Sequence, residues 1–104
     1  MTDLLEPWKP VEEQRRRGLE KELKRELPRD HALAGKSVRA VAVRMDRDDV
    51  LFEVLGGVYA VVHLTWTGRR ERSSECPLTQ LFSSLQDWLE RGMAPDHEEF
   101  SLGD

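Results

Sequence analysis

The chain has 104 residues and a formal net charge of −4, with 35% charged and 38% hydrophobic residues. A chain of this length forms one domain with a small core, and its aliphatic runs argue against global disorder. No apolar run approaches the roughly 20 residues of a membrane-spanning helix, so the sequence predicts no membrane protein of that type.

The cysteine content and the first residues bear on the compartment. Cys76 is the one cysteine, which rules out an intramolecular disulfide and favours a reducing environment. The start, MTDLLEPWKP, lacks the basic region and apolar stretch of a signal peptide. The sequence therefore predicts a cytoplasmic location.

Charge is unevenly distributed along the chain. Residues 1–36 hold nine Lys/Arg against eight Asp/Glu, whereas residues 76–104 hold one Arg against six acids. The acidic C-terminal part repels nucleic acid and anionic membranes. Arg15 to Arg17 could contact phosphate, but Glu12, Glu13, Glu20 and Glu22 dilute their field, so the sequence argues against nucleic-acid binding.

The N-terminal third is predicted to be an arm followed by a helix. Residues 1–10 contain two prolines and form the arm, residues 11–100 form a single α+β domain, and residues 101–104 form a tail. Residues 11–27 favour a helix with a narrow apolar stripe at every fourth residue, ended by Pro28. Glu22 and Glu26 are interpreted as a repulsive pair on its solvated surface.

The middle of the chain has the period of strands. Residues 38–45, 50–55 and 58–66 are predicted to form a three-stranded antiparallel meander, with Gly56-Gly57 as a two-residue hairpin. Pairing of Leu55 with Val58 and of Met45 with Val50 would fix which residues share a face. The predicted core face carries Val41, Val43, Met45, Val50, Phe52, Val54, Tyr59, Val61 and His63.

The C-terminal part is predicted to be a polar loop and a helix. Residues 67–77 form the loop, and residues 78–91 form a helix that packs on the core face and ends at Gly92. Asp96 and Glu99 have the spacing of an N-cap and its partner, which indicates a final helical turn. The predicted fold is an N-terminal helix, a three-stranded meander and a C-terminal helix packed on the sheet.

The second face of the predicted sheet is only partly polar. Its apolar members are too numerous for open solvent, so helix one or another subunit should cover them. This face is a candidate interface, and a homodimer is one way to bury it. The candidate interface residues are Leu51, Leu55, Val62, Leu64 and Trp66.

No catalytic constellation, metal site or cofactor motif is indicated. The histidines and Cys76 lack a short metal-binding spacing, and HEEF lacks the second histidine of HExxH. A phosphate-binding Gly-rich loop and a nucleophile elbow are also missing. His63 can be read either as a packed imidazole with one hydrogen bond or as a base in a shallow pocket.

Four blocks, HALAGKSV, DRDDVLFEV, YAVVHLTWTGRRE and MAPDHEEF, resemble a group of small bacterial proteins that share a VHLTW block and a C-terminal DHEE(F/Y) block. The resemblance covers residues 31–100, implies a bacterial cytoplasmic protein and carries no activity. It marks Asp49 for testing, together with residues expected to converge at the sheet end. The candidate binding-site residues are Tyr59, His63, Thr65, Trp66, Glu71, Asp96 and His97.

Two functional hypotheses follow. The first is a protein-interaction or regulatory module within a bacterial accessory or protective system, acting on a protein partner or by self-association. The alternative is a small-molecule binder or minor enzyme with a site around His63 and Glu71, where a carboxylate beside an imidazole could serve acid and base roles. The sequence leaves open whether the protein is an enzyme.

Overall fold

A computed structural model of the chain describes residues 4–102, and the protein is an α+β domain with helices on both faces of one sheet. The strands are β1 (Trp8–Pro10), β2 (Val38–Arg44), β3 (Asp49–Val54), β4 (Val58–His63) and β5 (Thr79–Phe82). The helices are α1 (Glu13–Glu26), α2 (Leu85–Trp88) and α3 (Ala94–Leu102), with a π-helical segment at Leu89–Met93 between the last two.

The sheet has five antiparallel strands in the order β1-β2-β3-β4-β5, so the predicted three-stranded meander is its centre. β1 lies in the predicted arm and pairs with the end of β2, Trp8 opposite Arg44. β5 lies where the second helix was predicted to start, and Phe82 pairs with Tyr59. Both are short edge strands, and Pro10 is tolerated because an edge strand need not donate on its outer side.

The β3–β4 connection has three residues, not two, because Val54 pairs with Val58. Gly56 and Gly57 both have positive φ, at 108° and 96°, which a side chain would disfavour. Leu55 therefore lies in the loop and is 83% exposed. The one-residue shift places Ala60, Val62 and Leu64, and not Tyr59, Val61 and His63, on the face of Val50 and Phe52.

The β2–β3 pairing contains an irregularity that the sequence did not predict. Val43 pairs with Val50, and the register shifts between Ala40 and Ala42, so Val41 is bulged. The predicted pairing of Met45 with Val50 was wrong, and Met45 lies beyond the strand with half its surface exposed. The bulge moves Val41 to the opposite face from Val43.

Each face of the sheet has its own core. α1 covers one face through Leu19 and Leu23, which pack with Val62 and Leu64. The C-terminal helical segment covers the other, where Leu51 packs with Trp88. The predicted candidate interface is therefore not one surface: Leu51, Val62 and Leu64 are buried on two different faces, and of the five only Leu55 and Trp66 are exposed.

The C-terminal helix continues past the predicted stop. Gly92 lies in the π-helical segment, where an added Cβ would be 2.6 Å from Cδ1 of Trp88 and 3.1 Å from Phe82. The glycine thus permits close packing against aromatic side chains and does not end the helix. α3 runs to Leu102, so Ser101 and Leu102 of the predicted tail are helical, and residues 103–104 lie outside the described residues, as do residues 1–3 of the predicted arm.

Candidate interaction surface

The loop after β4 is held by two carboxyl groups from α1. Glu26 is fully buried and accepts the backbone N–H of Thr65 and of Trp66, each at 2.9 Å. Glu22, one turn earlier and 4% exposed, accepts the N–H of Gly68 at 3.1 Å. The two carboxyl groups on the inner side of α1 therefore fix the path of residues 65–68.

The same two groups interact with each other. Burial is the largest cause that raises the pKa of Glu26, and a hydrogen bond with the Glu22 side chain raises it further. The N–H groups of Thr65 and Trp66 act in the opposite direction because they stabilise the ionised form. The pair is a buried acid cluster and not the solvated repulsive pair that the sequence indicated.

Trp66 has a left-handed backbone conformation, with φ at 59°. This region is uncommon for a bulky residue and persists only where the surroundings enforce it. The carboxylate of Glu26 enforces it here by binding the Trp66 N–H. The indole is 48% exposed, whereas Trp8 and Trp88 are 2% and 0% exposed, so Trp66 presents an aromatic group to solvent.

A cavity of about 310 Å³ lies beside the Trp66 indole. Met45, which is 52% exposed, and three cationic side chains, Lys9, Arg15 and Arg47, line it. We call these five residues the Trp66 surface. The remaining lining residues are Leu19, Val43, Arg44, Asp48, Asp49 and Val50.

The charge of this cavity is only partly compensated. Arg44 is buried and forms ion pairs with Asp46 at 2.7 Å and Asp96 at 3.3 Å, so its charge is neutralised within the fold. Lys9 and Arg15 form no ion pair within residues 4–102. Arg47 pairs with Glu99 at 3.4 Å, so the Trp66 surface combines an aromatic ring, a thioether and two available cations, Lys9 and Arg15.

Thr65 and Glu71 close the loop that carries Trp66. Thr65 Oγ1 donates to Glu71 Oε1 at 2.6 Å, and the backbone N–H of Glu71 binds the carbonyl of Glu26 at 3.0 Å. The side chain of Glu71 is thus bound to the loop itself. Of the predicted binding residues, Thr65, Trp66 and Glu71 lie together.

His63 has a different environment. It points away from α1, its side chain is 50% exposed, and Nδ1 lies 2.7 Å from Oδ1 of Asp49, its cross-strand partner. It lines a shallow cavity of about 250 Å³ with Leu78, Thr79 and Gln80, whereas Glu71 lines a separate cavity with Arg69 to Ser73 and Cys76. The predicted core position of His63 was wrong because the hairpin has three residues.

Tyr59 also faces away from α1 and bonds within the sheet. Its hydroxyl donates to Glu53 Oε2 at 3.0 Å across the β3–β4 pair. Partial burial, followed by this carboxylate, raises the pKa of the Tyr59 phenol. Tyr59 therefore lies apart from Trp66 and Glu71.

Asp96 and His97 bind the N-terminal segment. Asp96 Oδ2 accepts the indole N–H of Trp8 at 2.9 Å, and His97 Nδ1 donates to the carbonyl of Glu6 at 2.6 Å. α3 starts at Ala94, so Asp96 lies within the helix and is not its N-cap. Residues 96–99 reach the β1–β2 end of the sheet, and within the described residues 4–102 they form no hydrogen bond with His63 or Trp66.

Several residues that form or position the Trp66 surface were absent from the candidate binding residues predicted from the sequence. Glu22 and Glu26 flank the apolar stripe of α1 at one-turn spacing, and that adjacency was the available signal of burial. Met45 and Lys9 come together with Trp66 only through the β1–β2 pairing and the loop after β4. No periodicity in the sequence predicts that contact.

Residues 4–102 contain no group of three or more His, Cys, Asp or Glu side chains arranged to hold a metal ion. In the same part of the chain, none of the helices combines the length and apolar character needed to cross a membrane. No protein-family model, no curated protein and no solved structure matches this sequence.

Proposed function

We propose that this protein is a protein-interaction module whose contact is made by the Trp66 surface. The observation that carries the proposal is the half-exposed indole of Trp66, held at φ 59° by a fully buried Glu26. Strained backbone of this kind is concentrated at functional sites. A loop whose backbone is already held in place loses little conformational entropy on binding.

The composition of the surface supports a protein partner. Trp, Arg and Met are enriched in protein interfaces, and Trp and Arg dominate binding hot spots. Trp66, Met45, Arg15 and Arg47 supply these residue types around one concavity. The partner can be another protein or a second copy of this chain.

Affinity capture with matched variants tests the proposal. Trp66→Asn removes the indole while placing at φ 59° a residue that tolerates the left-handed region. Leu55→Ser is the control, since it removes an apolar side chain of greater exposure from the β3–β4 loop. Retained proteins from the producing cells are quantified by mass spectrometry, and self-association is measured by sedimentation velocity.

The proposal predicts that at least one associated protein, or the self-association, survives Leu55→Ser and falls at least about tenfold with Trp66→Asn. The thermal midpoint of Trp66→Asn should remain close to that of the parent chain. Retention of every associated protein by Trp66→Asn, with all three chains sedimenting as the same species, overturns it.

A second candidate function is a small-molecule binder or minor enzyme at His63, the alternative raised by the sequence. It is favoured by the 2.7 Å contact between Asp49 and His63 Nδ1, which leaves Nε2 available when the carboxylate orients the ring. NMR spectra of the His63 ring during titration with small-molecule mixtures test it. Resonances that no compound shifts count against this candidate.

A further inference from the structure

The outer side of α1 carries cations without carboxylates from Arg17 onward. At 100° per residue, Arg17, Lys21, Lys24 and Arg25 fall on one exposed stripe. The acids of the same segment turn inward: Glu20 accepts the N–H of Ala40, and Glu22 and Glu26 hold the loop after β4. From Arg17 to Arg25, the exposed side of α1 therefore carries positive charge alone.

A second cavity lies at the C-terminal end of this stripe, with a volume of about 430 Å³. Four cationic side chains line it, Lys24, Arg29, Lys36 and Arg70, and no carboxylate does. Its apolar lining residues are Leu27, Pro28 and Ala34. We call the stripe and this cavity together the cationic surface; its cations are Arg17, Lys21, Lys24, Arg25, Arg29, Lys36 and Arg70.

None of these seven cations forms an ion pair within residues 4–102. Lys24 and Arg25 lie in the last turn of α1, where they offset the negative end of the helix dipole. That explanation does not extend to Arg29 and Lys36, which lie in the α1–β2 connection, or to Arg70, which lies in the loop after β4. Their convergence on one cavity concentrates positive potential at a single place.

The opposite side of the sheet has the opposite charge. The segment from Leu85 to Leu102 holds five carboxylates against one arginine, Arg91, which is paired with Asp87. A long polyanion that extended beyond the cationic surface would meet this negative field. The cavity also offers no aromatic side chain on which a base could stack.

We infer that the cationic surface binds an acidic polypeptide segment of the partner. This inference rests on the proposed function, because it specifies the chemistry of the same partner. Glu and Asp side chains of that segment pair with Lys24, Lys36 and Arg70, and its apolar side chains contact Leu27 and Ala34, which are partly exposed. The Trp66 surface and the cationic surface are linked by one loop, which carries both Trp66 and Arg70.

Fluorescence anisotropy with a defined probe tests the inference. The probe is a labelled 20-residue peptide of glutamates with interspersed leucines, and unlabelled oligo-dT of 20 nucleotides and phosphatidylserine vesicles are the competitors. Binding is measured at low salt, where exposed charges are least screened. Arg70→Glu and Lys36→Glu are the test variants, and Arg39→Glu, an exposed cation outside this surface, is the control with the same charge change.

The expected result is saturable peptide binding that weakens by about fivefold or more in each test variant and by less than about twofold in Arg39→Glu. Tighter binding of oligo-dT or of vesicles, lost in the same variants, overturns the inference in favour of that polyanion. Absence of peptide binding, or equal weakening by Arg39→Glu, also overturns it.

Failure here is distinguishable from failure of the proposed function. If Trp66→Asn abolishes partner capture while Arg70→Glu leaves it unchanged, the interaction module stands and the acidic-segment inference falls. If Trp66→Asn leaves both capture and self-association unchanged, the proposed function itself fails, whatever the effect of Arg70→Glu.

Discussion

Glu26 accepts the backbone N–H of Trp66 at 2.9 Å across a sequence separation of 40 residues. This bond joins the inner side of α1 to the loop after β4, and it holds the left-handed backbone of a tryptophan whose indole is half-exposed. The stability of the fold and the position of Trp66 therefore depend on the same carboxyl group.

Removal of that carboxyl group should destabilise the fold. Glu26→Ala leaves the N–H groups of Thr65 and Trp66 without their acceptor, and unsatisfied buried donors cost free energy, so we expect a loss of about 2–4 kcal/mol. Glu26→Gln keeps one acceptor oxygen and should lose about half as much. Urea denaturation measures both, with a substitution at an exposed position, Glu13→Ala, as the control. Equal stability of Glu26→Ala and Glu13→Ala would show that the Glu26 carboxyl group does not hold the loop after β4.

The pH dependence of stability should carry the signature of Glu26. Burial raises its pKa in the folded protein above the ordinary value of 4.5, so the folded state binds this proton more tightly than the unfolded chain. Its contribution is therefore complete below pH 4.5 and is lost as the pH rises through the raised pKa.

Asp87 affects the stability of the folded protein in a different pH range. The hydrogen bond from Arg91 holds its pKa well below the ordinary value of 3.8, so its contribution to stability is complete above that value and is lost as the pH falls below it. Between pH 4.5 and 8, the pH dependence therefore reports on Glu26 and not on Asp87. Urea denaturation should show that the free energy of unfolding falls with rising pH in the parent protein but not in Glu26→Gln. The same slope in both proteins would show that Glu26 does not titrate as described.

The left-handed conformation of Trp66 should be detectable as strain. Trp66→Gly relieves the Cβ clash at φ 59°, whereas Trp66→Ala retains it. After the greater unfolded-state freedom of glycine is subtracted, we expect the Gly variant to be about 0.5–1 kcal/mol more stable than the Ala variant. Chemical denaturation checks this, and a more stable Ala variant would argue against the left-handed backbone.

Gly92 and Gly18 form a matched pair of helical glycines with opposite expected outcomes. An alanine Cβ at position 92 would meet Trp88 at 2.6 Å, so Gly92→Ala should cost about 1–3 kcal/mol through overpacking. Gly18 is exposed in α1, and a Cβ added there would meet no other part of residues 4–102 within 4 Å. Gly18→Ala should therefore stabilise the protein by up to about 1 kcal/mol. Thermal denaturation measures both, and a neutral Gly92→Ala would contradict the packing at Trp88.

The sequence was sufficient for the order of the main elements but not for their register. The apolar stripe of α1, the alternation in the three central strands and the apolar positions near Trp88 are local signals, and they predicted a helix, strands and a helix in this order. β1 and β5 are three and four residues long, too short for a periodicity to be distinguished. The loop of Leu55 and the bulge at Val41 depend on pairing partners, so the faces were assigned incorrectly.

The candidate site was predicted in part for the same reason. Thr65, Trp66 and Glu71 are close in sequence, and the structure brings them together. His63, Tyr59 and Asp96 were grouped with them on an incorrect register and an assumed convergence, and each has its own partner elsewhere. The inward orientation of Glu22 and Glu26 depends on the loop that packs against α1, and within the helix only their position beside the apolar stripe indicated it.

The most direct test of the central claim is the indole N–H spectrum of ¹⁵N-labelled protein with and without the captured partner. The three tryptophans have distinct environments: Trp8 Nε1 donates to Asp96, Trp88 Nε1 is buried without a hydrogen-bond partner among residues 4–102, and the Trp66 indole is half-exposed. We predict that binding shifts or broadens the Trp66 resonance selectively. A complex that tumbles more slowly, yet leaves the Trp66 chemical shift unchanged, would contradict the assignment of Trp66 as the contact.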